Sequence, residues 1–143
     1  MRDKGALASE RILVALLRFV GALDILALIA ALAPSDWFRA AHDALGIGDF
    51  PDAAITGYLA RSAALMYALH GALILWISLD IRAHWRLVRF LAWAAFAHGL
   101  LLIGVDIAER LPLWWTIGEG GSYLGLAACI LGLQSAADRA RRA

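Results

Sequence analysis

The sequence has little of what soluble domains are built from. Charged residues make up only 17% of its 143 residues, whereas an ordinary soluble domain is about one-quarter charged. Cys129 is the sole cysteine, which excludes an intramolecular disulfide, and with no ligand type beside it there is no zinc site. It reads as a small buried hydrophobe. Neither sign of charge is in excess: 13 basic against 12 acidic residues give a net charge of +1, so nothing recommends nucleic acid as a partner. The familiar catalytic signatures are missing too. There is no G-x-S-x-G, no H-E-x-x-H, no phosphate-cradling glycine loop and no C-x-x-C, and Ser62, Ser78 and Ser122 have no base arranged around them in sequence.

What is present is apolar text in long blocks. The chain is 62% hydrophobic, with a mean hydropathy of +0.71. Residues 62–79 and 90–105 are free of charge, and a short basic turn over 80–89 joins them. About 20 apolar residues cross a bilayer core, so these runs read as two antiparallel membrane spans. The same reading over the whole chain predicts an all-α, membrane-embedded four-helix bundle in a single domain, 1–143. Its spans are about 10–33, 57–79, 85–108 and 113–135. Pro34 ends the first span. Ser35 or Asp36 can then cap a short helix over about 35–45, closed by Gly46. Trp37, Phe38, Ala41 and Leu45 share one face of it, and Asp36, Arg39 and Asp43 the other. That pattern suits a helix lying in the membrane interface, and equally a cover over the bundle. Residues 48–52 form a turn-rich connector, Glu109-Arg110-Leu111-Pro112 a tight turn, and the polar tail 138–142 is expected to fray.

Arg2, Lys4 and Arg11 precede an apolar run ending in Ala31-Leu32-Ala33, which resembles a secretory signal. The run is longer than a signal core, Arg18 and Asp24 interrupt it, and Pro34 would follow the cut, so an uncleaved span is expected. Arg2, Lys4, Arg11, Arg82, Arg86, Arg89, Arg139, Arg141 and Arg142 fall on one side of the spans, against Arg39, Arg61 and Arg110 on the other. The positive-inside rule then puts both termini and the central turn in the cytoplasm. Trp37, Trp114 and Trp115 anchor the outer boundary, and Trp76 and Trp85 the inner. Two short echoes, LLRF at 16–19 with LVRF at 87–90 and Gly57-Tyr58-Leu59 with Ser122-Tyr123-Leu124, raise the idea of a duplicated hairpin.

Ionisable groups inside a span cost about 2.5–3.5 kcal/mol at its centre and face a partner in the bundle. Arg18 is long enough to snorkel to the head groups. Asp24 is not, and it lies about 120° around the helix from Arg18, so it is either protonated, hydrogen-bonded across the bundle, or paired with a residue of another helix. Arg61, about one turn inside the outer end of its span, and Glu119, in the glycine-rich stretch Gly118-Glu119-Gly120-Gly121, are expected to form an ion pair. With Asp106 nearby they make either a polar pocket opening outward or a structural clamp. His70 and His98 lie near mid-span on antiparallel helices, and each is followed by a glycine. They are either axial ligands of a haem b or core histidines that hydrogen-bond to backbone, Tyr67 or Asp24.

Leu59-Ala60-Arg61-Ser62 and Trp114-Trp115-Thr116-Ile117-Gly118-Glu119-Gly120 resemble the openings of the second and fourth helices in a family of small bacterial four-helix membrane proteins. More distantly, the plan is similar to that of the DoxX-like group. The resemblance covers about half the chain, from Tyr58 onward. It implies a location and a topology, and carries over no catalytic residue. The expectation is an inner-membrane protein with no enzymatic activity of its own and no resident cofactor. It would have an accessory, binding or small-solute-handling role, with the bilayer and a second copy or another membrane protein as partners. Two alternatives stand beside it: a haem b or quinone redox protein using His70 and His98, and a proton-coupled carrier using Asp24, Glu119 and Arg61.

Overall fold

In lipid every backbone N–H and C=O must be satisfied within its own segment, which leaves helices as the outcome for apolar runs without a closed barrel. The computed structural model describes residues 2–142 and is all-helical over them. Its elements are α1 (Arg2–Leu32), α2 (Ser35–Leu45), α3 (Ala54–Leu79), α4 (Trp85–Ala108) and α5 (Leu113–Arg142). The side chains of Arg2 and Lys4, counted above toward the topology, lie outside the described residues. Four helices are long and apolar enough to cross a membrane: Gly5–Leu32, Ala54–Leu79, Trp85–Ala108 and Leu113–Arg142. The protein is a multi-pass, helical membrane protein.

The bounds of α2 and α4 are those expected from sequence; the other three helices are longer. α1 begins well before Glu10, and α3 three residues before Gly57. The tail, expected to fray, instead continues α5 as helix to Arg142. Two of its charges are held: Arg141 donates to Glu10 and lies 4.6 Å over the Trp85 ring, and Asp138 accepts from Arg89 at 2.6 Å. The start of α2 also differs. Pro34, not Ser35 or Asp36, occupies the N-cap position, and its ring has no polar atom with which to make a side-chain cap bond; the Ser35 hydroxyl accepts from Arg61. Gly46 closes α2 in the left-handed region at φ 64°, with Gly46 N–H donating to Asp43 O and Ile47 N–H to His42 O. These two bonds make a Schellman stop.

The chain forms two compact units: Met1–Leu16 with Ile77–Ala143, and Leu17–Trp76. Each contains a helix crossing built on glycine. In the second unit a Cβ on Gly71 would come within 2.6 Å of Gly21 O, and one on Gly21 within 2.9 Å of Gly71 O, so α1 and α3 meet backbone to backbone. In the first unit Gly99 of α4 and Gly120 of α5 do the same, at 2.8 and 2.9 Å. Close approach through small residues is how apolar helices associate where lipid competes for every larger side chain. Cys129, expected to be buried, is exposed. It sits on the outward face of α5, where an apolar thiol is at ease if lipid surrounds it.

Candidate functional site

The α1–α3 crossing places the first polar site. Asp24 lies one turn after Gly21, and His70 immediately precedes Gly71, so the glycine contact brings the two side chains together. His70 Nδ1 and Asp24 Oδ2 are 2.7 Å apart. Asp24 is eight residues from the end of α1 at Leu32, about 12 Å along the axis, which is within the apolar part of the span. A carboxylate can only accept, so the ring donates Nδ1–H to it, which leaves the lone pair of a neutral ring on Nε2. The Asp24 side chain is 20% exposed and that of His70 45%. The carboxylate is thus largely covered while the ring stands out from its unit, with no hydrogen-bond partner on Nε2 among the described residues. The partner expected for Asp24 on another helix is His70, and of the three partners expected for His70 the structure selects Asp24.

The α4–α5 crossing is built alike. His98 precedes Gly99, and Tyr123 lies one turn after Gly120. The His98 and Tyr123 rings meet edge to face with centroids 4.8 Å apart. The sequence echoes do not carry this likeness, since Gly21 follows Leu16 by five residues whereas Gly99 follows Leu87 by twelve. The crossings are out of register with a duplicated hairpin.

Arg61, Asp106 and Glu119 are each engaged differently. Arg61 Nη2 donates to Ala33 O at 2.9 Å and to Ser35 Oγ at 3.4 Å. Its Nη1 reaches Gly57 O at 3.4 Å, and its guanidinium lies 5.3 Å from the Phe38 ring centroid. One side chain therefore holds the end of α1, the start of α2 and its own helix, with backbone carbonyls as the main partners; this is a different clamp from the Arg61–Glu119 pair expected from sequence. Glu119 accepts from Trp115 Nε1 at 2.8 Å, one turn back on α5. Arg61 and Glu119 belong to different units, and each finds these partners within its own. Asp106 is 2% exposed, and its Oδ2 has no hydrogen-bond partner among the described residues. Its backbone carbonyl takes Leu111 N–H at 2.9 Å in the α4–α5 turn.

A further polar cluster was not singled out from sequence. Glu10, 7% exposed, accepts from Arg82 Nε at 2.8 Å and from Arg141. Gln134, fully buried, donates to Trp85 O at 2.9 Å and accepts from Arg89 Nε at 3.4 Å. The usable signal was an isolated carboxylate on the arginine-rich side of the spans. Among the described residues no three His, Cys, Asp or Glu side chains converge on a metal position. Comparison with family models, curated proteins and solved structures returns no match.

Proposed function

We propose that the protein is a non-enzymatic binding protein of the bacterial cytoplasmic membrane, with both termini on the cytoplasmic side. In this reading it takes up a small, bilayer-partitioned molecule at His70. The observation that supports this is the Asp24–His70 pair at 2.7 Å inside an apolar span. A polar pair at that depth is costly and marks function more often than packing. The carboxylate fixes the tautomer and the ring orientation, as second-shell carboxylates do for working histidines, and the outward Nε2 is an acceptor. Its ligand is therefore an apolar molecule that presents a hydroxyl; a hydroquinone head group has that chemistry. The resemblance to small DoxX-like membrane proteins agrees with the location and adds nothing on the ligand.

The test is purification in mild detergent followed by native mass measurement and an absorption spectrum. Wild-type protein is expected to carry a small molecule that His70→Ala loses. Asp24→Asn should hold it about tenfold more weakly, the lower end of what loss of an orienting carboxylate costs. Equal occupancy in all three proteins overturns the reading. The carboxylate on Nδ1 also favours a second reading, haem b with His70 as an axial ligand. A Soret band that disappears in His70→Ala would select it.

A further inference from the structure

At the arginine-rich end of the first unit, a cavity of about 410 Å³ lies between α4 and α5. Arg89 and Trp93 line it from α4, and Leu131, Ser135, Asp138, Arg139 and Arg142 from α5. Both sets follow helical spacing. Arg89 and Trp93 are four apart, and Leu131, Ser135, Asp138 and Arg142 recur at intervals of three or four, which makes one continuous stripe. The stripe is graded. Trp93 and Leu131 are its apolar end, toward the middle of the spans, and the arginines are its polar end, beside the 80–84 turn and the end of α5.

The charges at the polar end are unevenly satisfied. Arg89 is positioned from two sides, by Asp138 at 2.6 Å and by the buried Gln134, which is itself anchored to Trp85 O. Its Nη1 has no partner among the described residues. Arg139 and Arg142 are exposed and have no acidic partner among the described residues. Three arginines thus face a single aspartate around a cavity whose other wall is apolar. An anion alone has no use for the tryptophan and leucine, and an apolar chain alone none for the guanidiniums.

We propose that this cavity is a binding site for an anionic phospholipid. Its phosphodiester would be held by Arg139, Arg142 and the open edge of Arg89, with its proximal acyl chain against Trp93 and Leu131. Guanidinium forks match phosphate oxygens two at a time, and basic pockets between spans at the membrane surface are where anionic head groups are held. The site uses nothing of the His70 site and stands or falls separately from it.

The test is native mass spectrometry of the full chain in mild detergent, titrated with phosphatidylglycerol or with phosphatidylcholine of the same acyl chains. Each basic residue at a membrane surface strengthens attraction for an anionic lipid about fivefold. Arg139→Gln/Arg142→Gln is therefore expected to lower phosphatidylglycerol retention by roughly twenty-fivefold, to the phosphatidylcholine level. Both positions are exposed, and an unchanged elution volume and melting temperature check that the variant is folded. Arg86→Gln, exposed on α4 and outside the cavity, should retain the lipid as wild type does. Equal retention of the two lipids by wild type, or phosphatidylglycerol retention unaffected in the double variant, overturns the proposal. Displacement of phosphatidylglycerol by millimolar inorganic phosphate would assign the site to a free anion and overturn the lipid assignment.

Discussion

Gly71 has almost no room. A Cβ there would meet Gly21 O at 2.6 Å, Asp24 Cβ at 2.8 Å and Ile25 N at 2.8 Å. Two of these are backbone atoms that cannot turn aside. Gly71→Ala should therefore force α1 and α3 apart and tilt Asp24 away from His70. Overpacking of this kind costs about 1–3 kcal/mol, set against about 1 kcal/mol gained by replacing glycine within a helix. A lower melting temperature in detergent is expected, together with weakened occupancy at His70. Gly125→Ala, where a Cβ meets nothing within 4 Å, should be neutral or stabilising; the reverse order of the two melting temperatures would refute the account. At this scale the sequence was partly legible. Asp24 announced its need for a partner because a short carboxylate cannot reach the head groups from mid-span. Arg61 was expected to pair with Glu119; the carbonyls and hydroxyl it meets within its own unit were not foreseen, because a helix-terminal carbonyl leaves no mark in the side-chain text. The His-Gly pairs drew attention to the histidines, whereas the glycines are what set the crossings.

The helix ends separate what is local from what is not. α4 could be bounded from sequence because its stops are local: the 80–84 turn before it and Pro112 after it. Its end is a Schellman motif, with Arg110 N–H donating to Ile107 O and Leu111 N–H to Asp106 O, and it holds Arg110 at φ 58°. A side chain in the left-handed region costs about 1–2 kcal/mol, and glycine is the residue that usually closes this motif. Arg110→Gly should therefore stabilise the protein by about 1 kcal/mol. Gly46→Ala, at the corresponding position of α2, should destabilise it by about as much. Thermal unfolding reads both, and shifts of the same sign would refute the argument. The length of α5 was not legible, because its last two turns look like a solvated tail in composition. Their helicity comes from partners 49 and 131 residues away in sequence, beyond the reach of any local pattern.

For the whole molecule, the four-span plan was readable because lipid leaves an apolar chain few choices, and charge-free runs are hard to mistake. The orientation proposed above rests on the arginine distribution. A reporter fused after Arg142 or placed in the 80–84 turn is expected to read cytoplasmic, and one in the 46–53 connection to read the opposite side. Reporters after Arg142 and in 46–53 that read the same compartment would rule out α3, α4 and α5 as three successive spans.

The Glu10–Arg141 contact sets an order on biosynthesis. Leu17–Trp76 is one uninterrupted stretch, so its glycine crossing and the Asp24–His70 pair can form while the rest of the chain is still on the ribosome. The other unit draws on both ends of the sequence, and its buried carboxylate must wait for an arginine made 131 residues later. Closing so long a loop is what slows the assembly of non-local contacts. During that interval Glu10 has at most Arg82 for company, and the nascent protein holds an unfinished acidic position until Arg141 has been added.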